Sequence, residues 1–201
     1  MTFFAQQGYR GASLAAIAQD VNITQPGLLH HFGSKRELLL AVLEERDRRD
    51  RIDVDARHAE ANVFEALESL VAHNADAREI VKLFTVLTAE AAVQEEHPAH
   101  VHFAERYAGI TERIVEQLEQ EKARGDLAPD TDSELVSRLL LAVMDGLQIQ
   151  WLLDPSVDMV GAFSAFVGVI AVALSGESAD TTLREAPAGA GKTAGRTHRR
   201  A

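Results

Sequence analysis

Between Ser13 and Leu38 the chain reads SLAAIAQDVNITQPGLLHHFGSKREL, and several of these side chains carry the chemistry needed to meet a nucleic acid. A glutamine can bridge N6 and N7 of adenine, which makes Gln25 a candidate for a base edge. Gly27 lets the backbone approach a base closely, and Pro26 offers an apolar surface to a thymine methyl. His30 is a further base-edge candidate. Lys35 brings a point charge suited to a phosphate. Backbone amides left free at the helix starts after Ser13 and Thr24 can hold phosphates as well.

The elements that must position these groups are written in the same stretch. Ser13 is an N-cap residue. Leu14, Ile17 and Ala18 fall at i, i+3 and i+4, one apolar stripe on a helix of about two turns. Asp20-Val21-Asn22-Ile23 interrupts the pattern, and Asn22 tolerates a left-handed turn. Thr24 caps a second helix, with Pro26 where its missing N–H costs nothing. Leu28, Leu29 and Phe32 form its apolar side and leave Gln25, Gly27, His30 and His31 toward solvent. Ser34 with Glu37 is a capping box that opens a third helix. Two short helices across a tight turn predict a helix-turn-helix, whose second helix enters the major groove of DNA. The bland alternative is a helical hairpin that binds no nucleic acid.

The stretch GYRGASLAAIAQDVNITQPGLLHHFGSKRELLLAVL resembles the DNA-binding segment of the TetR family of bacterial transcriptional regulators. The landmarks are Gly8-Tyr9, Ser13, Ile17-Ala18, Ile23-Thr24, Leu28, His31-Phe32, Ser34-Lys35 and Leu38, in order and at matching spacing, over roughly the first quarter of the chain. The resemblance implies Ser13, Thr24, Gln25, Pro26, Gly27, His30, His31 and Lys35 as the DNA-binding residues. Three departures stand out. Asn22 replaces the usual turn glycine, Leu29 replaces a usual tyrosine, and Phe3-Phe4 look like the end of the family's first helix. That helix is expected to stop at Gly8 and to give poor apolar cover to Ile17, Leu28 and Phe32. The expectation follows that the reading frame extends upstream or that the chain binds DNA poorly.

With 201 residues, 46% of them hydrophobic and 25% charged, the chain has an ordinary globular balance and room for one or two domains. The absence of cysteine excludes a disulfide framework and thiolate chemistry. No basic segment followed by an apolar run opens the chain, so a cytoplasmic protein is the default. The net charge of −11 is unevenly spread: residues 1–51 carry 7 Lys and Arg against 6 Asp and Glu, and residues 52–176 carry 8 against 22. An acidic body with a neutral helix-turn-helix end would turn that end toward phosphates.

Beyond Lys35, Leu38, Leu39, Val42 and Leu43 give an apolar face to a helix that runs into ERDRRDRID (45–53), read as a solvated charge run. Val63, Phe64, Leu67, Leu70 and Val71 make one further stripe, and Ile80, Val81, Leu83, Phe84, Leu87 and Ala91 another. His97-Pro98 closes that helix region. A long helix through Phe103, Tyr107, Ile110, Ile114 and Leu118 is expected to stop near Gly125. A helix from Asp132 or Ser133 to Leu153 is apolar on two faces. Val136, Leu140, Val143, Met144, Leu147 and Trp151 lie on one, and Leu135, Leu139, Ala142, Gly146 and Ile149 on the other. One face then serves the core and the second a further copy of the chain. Residues 159–176 carry no charge. They could span a membrane, but Gly161, Ala165 and Gly168 favour close helix packing in a dimer. The tail 177–201 is expected to be disordered. Its Gly191-Lys192-Thr193 mimics a phosphate loop but lacks the leading glycine, since Ala186 stands there.

His97, His100 and His102 have spacing that imidazole–metal chemistry could use, against the plain reading of three exposed histidines; no metal or other cofactor is assigned. The resemblance implies an effector site in the body, for which Phe84, Leu87, Phe103, Tyr107, Met144, Gln148 and Trp151 are the candidate lining. The same residues also describe an ordinary helical core. Asp145, Gln148 and Gln150 are polar in an apolar helix and each needs a partner or solvent. No catalytic constellation is present, and no enzyme is expected.

The expectation is an all-α protein. Residues 1–45 form a helix-turn-helix head, and 46–176 a larger helical ligand-binding and dimerisation body. Its partners would be double-stranded operator DNA, a small-molecule effector and a second copy of itself, with no membrane. The alternatives are a helical membrane-peripheral or tail-anchored protein and a ligand-binding body without DNA binding.

Overall fold

A computed structural model describes residues 2–57 and 62–175, the side chains of residues 49–57 excepted. The segment after 176, expected to be disordered, lies outside the described residues. Nine helices follow in order among those described: α1 (Thr2–Gly11), α2 (Leu14–Asp20), α3 (Gln25–Phe32), α4 (Lys35–Arg57), α5 (Val63–Asp76), α6 (Arg78–Val93), α7 (His100–Arg124), α8 (Ser133–Leu153) and α9 (Met159–Leu174).

The helix boundaries follow from capping chemistry. Ser13 Oγ accepts from the Ala16 N–H at 3.4 Å and Thr24 Oγ1 from the Gly27 N–H at 3.1 Å, which starts α2 and α3 as expected. Asn22 takes the left-handed turn between them at φ 57°. Asp132 and Asp158 accept from Leu135 and Gly161 to open α8 and α9. Asn62 and Glu65 form a reciprocal capping box at the start of α5. Gly125, at φ 85°, ends α7 where the sequence predicts it.

Two apolar cores form. The first is built from α5, the second half of α7, α8 and α9, around Val71, Leu118, Leu140, Met159 and Phe163. The second joins α1 to α4 with α6 and the start of α7, around Phe4, Leu28, Leu39, Leu43, Leu83, Leu87 and Phe103. Leu28 is buried, while Ile17 and Phe32 are half-buried against this second core. The head thus has no core of its own; α6 supplies much of its apolar cover, and α1 lies along α6.

α8 divides as its two-faced pattern requires. Val136, Leu140 and Met144 are buried, whereas Leu135, Leu139, Ile149 and Leu153 are exposed. α9 buries Met159, Phe163 and Val167 and leaves Gly161, Ala165, Gly168, Val169 and Val172 on its open side. With 16 residues α9 is shorter than the roughly 17–25 that a membrane span needs. Among the described residues the helix whose length and composition would allow a span is α8, one face of which packs in the body core.

One expectation is corrected here. The charge run 45–53 is not simply solvated, because Arg46 and Asp47 are each only 6% exposed. α4 passes beneath α7 at that point, and the Asp47 carboxylate meets Arg106 and, at 3.1 Å, His102 Nε2.

Candidate nucleic-acid interface and its link to the body

Thr24, Gln25 and Pro26 stand exposed at the amino end of α3, with His30 and His31 exposed one turn later and Gly27 half-exposed. Their positions are set from beneath by Leu28 in the core and from the end by the Thr24 cap. The His30 and His31 rings meet edge to face at 5.8 Å. This end of α3 offers an amide donor, a ring pair and a bare backbone to solvent in one place. Free N–H groups at a helix start add an attraction for anions.

Lys35 is less free than its sequence position suggests. Its ammonium donates to the Arg10 carbonyl at 3.1 Å and lies 4.9 Å from the centre of the Tyr9 ring. It therefore closes the carboxyl end of α1 onto the start of α4, where an exposed carbonyl welcomes a cation. Ser34 Oγ accepts from the Glu37 N–H at 3.1 Å and donates to the Glu37 carboxylate at 3.2 Å, so α4 begins on the expected pair.

Two polar joints tie this head to the body. At the first, α1 breaks at Gly8 (φ 65°, ψ −174°), a conformation essentially reserved for glycine. The break frees the Tyr9 N–H, which donates to the Glu90 carboxylate of α6 at 2.8 Å. His97 stacks edge to face on Tyr9 at 5.3 Å, and its Nε2 lies 3.5 Å from the same carboxylate. Burial pushes His97 below the ordinary histidine value of 6.5, opposed by the charge of Glu90. At the second joint, buried Asp47 of α4 is paired with Arg106 and His102 of α7, and the Arg106 guanidinium lies 4.7 Å from the centre of the Phe84 ring.

The three histidines are therefore joint residues with separate partners. His97 Nδ1 accepts from the Ala99 N–H at 3.2 Å, His100 Nδ1 is 2.8 Å from the Ala91 carbonyl, and His102 faces Asp47. Neither the shared metal nor three freely exposed rings describes them. Among the described residues no group of three or more His, Asp or Glu is placed to hold a metal ion.

The candidate effector lining does not form one wall. Phe84, Leu87 and Phe103 belong to the core shared with the head, with Phe84 and Phe103 edge to face at 6.0 Å. Tyr107, Met144 and Trp151 pack with the body core instead. Gln148, on the α8 face of Met144, is buried. The seven residues straddle a polar seam along α7, where Arg106 turns to the head and Tyr107 donates to Asp145 of α8 at 2.6 Å. Burial and its bond to Asp145 push the Tyr107 hydroxyl well above the usual tyrosine range, so it remains a donor. Trp151 lies under Arg78, 4.8 Å from its ring centre, and Arg78 donates to the Trp151 and Leu152 carbonyls at 3.3 and 2.9 Å. Arg78 thereby satisfies carbonyls that the end of α8 leaves open.

Glu90, Asp47, Arg106 and Arg78 were not singled out from the sequence. Asp47, Arg106 and Arg78 sit in stretches of mixed charges and Glu90 is a lone charge on an apolar helix, patterns that a solvated surface shares, and only the crossing of distant helices distinguishes them.

An exposed helix-turn-helix head joined through a linking helix to a larger helical body is the architecture of a DNA-binding regulator. Residues 1–42 match the sequence model of bacterial regulatory proteins of the tetR family, and residues 59–167 match that of the BetI-type transcriptional repressor, C-terminal. The chain belongs to the TetR family, a family of DNA-binding transcriptional regulators rather than of enzymes. It is 27% identical over 148 residues to the HTH-type transcriptional regulator UidR of Escherichia coli (strain K12), covering 72% of this chain and 73% of that protein. Its fold is similar to that of a TetR-family transcriptional regulator from Rhodococcus sp., with TM-score 0.70, 23% identity and coverage of 86% and 93% of the two chains. The fatty acid degradation regulator FadR from Bacillus halodurans is similar in fold as well, with TM-score 0.69, 20% identity and coverage of 88% and 94%.

Proposed function

We propose that this chain is a cytoplasmic, homodimeric repressor that occupies an inverted-repeat operator and leaves it when a small-molecule effector binds the body. Residues 1–45 serve as the DNA-binding unit and 46–176 as the effector-binding and dimerisation unit. The observation that carries this is the pair of opposite contacts made by neighbouring residues of α7. Arg106 holds Asp47 on the helix that leads to the head, and Tyr107 holds Asp145 in the body. A ligand that alters the Tyr107–Asp145 contact turns the same stretch of α7 that grips α4.

In the bound state two copies of α3 enter successive major grooves about 34–36 Å apart, where Gln25, Pro26, Gly27, His30 and His31 face bases and Ser13, Thr24 and Lys35 face phosphates. An effector with higher affinity for a different head separation empties the operator by differential binding. Dimerisation uses α8 and α9. The exposed Leu135, Leu139, Ala142, Ile149 and Leu153, with half-exposed Gly146, recur at alternating steps of four and three, the spacing of a coiled-coil seam. Small residues on the open side of α9 let a partner helix approach.

Selection of DNA from a random pool tests this. The expected product is an inverted repeat whose half-sites are centred about one helical turn apart. Enrichment of single half-sites, or none, overturns the proposal.

A further inference from the structure

Tyr9 is gripped from both sides of the boundary between body and head. From the body, the Glu90 carboxylate of α6 accepts its backbone N–H at 2.8 Å, and the His97 ring meets its ring edge to face at 5.3 Å. On the head side, the Lys35 ammonium lies 4.9 Å from the centre of the same ring. That ammonium also donates to the carbonyl of the next residue, Arg10, at 3.1 Å. One dipeptide, Tyr9-Arg10, therefore holds the lysine by a ring and a carbonyl and is itself held by a carboxylate 81 residues away.

Lys35 stands half-exposed at the start of α4. An ammonium has three donors, so the bond to Arg10 leaves two for a phosphate. A lysine with nothing beside it loses its rotamer freedom only on meeting DNA, and that loss weakens binding. A lysine already kept in place by an aromatic face and a carbonyl has given up that freedom beforehand. The charge of Glu90 acts in the opposite sense, because an acidic side chain weakens the attraction of a protein for phosphates.

We propose that Glu90 and Tyr9 are positioning residues for the phosphate contact of Lys35: the body, through Glu90, fixes the ring and the carbonyl that present the ammonium. The inference rests on the reading of Lys35 as a phosphate contact and adds a second line of control. This line runs from α6 through α1, beside the one from α7 to α4. A displacement of α6 that withdraws the Glu90 carboxylate releases Tyr9, and Lys35 returns to its many rotamers.

The test is a double-mutant cycle between Glu90 and Lys35 in the full chain. It is read as affinity for a duplex of random sequence and for the inverted repeat recovered by selection. Each variant is first shown folded by circular dichroism at the assay temperature. Glu90→Ala should weaken binding to both duplexes by about two- to tenfold, the cost of ordering one long side chain. Glu90→Gln loses the charge but keeps an oxygen for the Tyr9 N–H, and should restore the affinity. On a Lys35→Ala background, Glu90→Ala should change affinity by less than about twofold. Tyr9→Leu keeps the backbone donor and removes the ring; it runs through the same cycle and replaces Glu90→Ala if that variant does not fold. Equal losses with and without Lys35, unchanged or tighter binding by Glu90→Ala, or equal losses for Gln and Ala overturn the positioning role. So does a Lys35→Ala variant that binds as before. Binding to the random duplex with no inverted repeat recovered removes the operator and leaves the cycle to be read. Binding to neither duplex removes the DNA contact and this inference with it.

Discussion

The Tyr9 backbone N–H donates to the Glu90 carboxylate across 2.8 Å, and the bond exists because the chain turns out of the helix at Gly8. A β-carbon at position 8 would overlap the Glu90 carboxylate, and the backbone there is in a region that side chains avoid. Gly8→Ala should therefore destabilise the chain by about 1–3 kcal/mol through backbone strain alone. Urea melts monitored by circular dichroism read the loss. An unchanged midpoint would mean that the joint between α1 and α6 contributes nothing.

His97 makes the same joint sensitive to acid. Its folded value lies below 6.5 because burial disfavours the charged ring. Folding therefore favours the neutral form, and stability is lost as pH falls through 6.5 toward the lowered value. His97→Asn, which can still accept from the Ala99 N–H, should flatten the fall in melting temperature between about pH 7 and pH 5. Parallel pH profiles for the two proteins would assign the acid sensitivity elsewhere.

On the DNA side, Gln25→Ala should relax preference at one operator position by about 1–3 kcal/mol. Lys35→Ala should weaken binding to all sequences alike and lower the salt slope by about one. Because Lys35 also ties the Arg10 carbonyl, its removal should lower the melting temperature, which loss of Gln25 should not. Binding titrations at several salt concentrations, on operator and on scrambled DNA, separate the two roles. Equal effects of both variants on scrambled DNA would refute them.

Leu139 is 43% exposed on the open face of α8, so Leu139→Glu should leave the fold of each chain intact. If this face joins two copies, sedimentation should show a monomer. Operator affinity should then fall by about 10²–10⁴, since linked half-sites bind far more tightly than separate ones. A dimer that survives the substitution places the interface on another surface.

Arg106→Ala leaves the buried Asp47 carboxylate with His102 as its remaining ion-pair partner. Breaking a buried pair by removing one partner costs up to about 3–5 kcal/mol. The variant should melt earlier and respond less in operator release to any ligand that Trp151 still detects. Full release with an unchanged ligand titration would show that the signal bypasses α7.

Local chemistry alone determined the helix-turn-helix. Ser13, Asn22, Thr24 and Pro26 act on backbone groups within three or four residues, so their roles can be assigned without knowing what lies across the molecule. The same holds for the stop at Gly125, the cap at Asp132, and the two faces of α8, since a helix repeats its geometry faithfully. Charge and polarity in the middle of the chain were decided by tertiary structure. Asp47 sits in a run that reads as solvated and is buried, because α7 lays His102 and Arg106 over it from more than fifty residues away. Phe84 and Tyr107 both read as lining of one helical core yet fall into two, because α7 packs Phe103 with the head-side core and Tyr107 with the body core. Hydrophobic periodicity records that a face is covered and carries no information on which helix covers it. The polar seam between the cores exists only once distant helices meet.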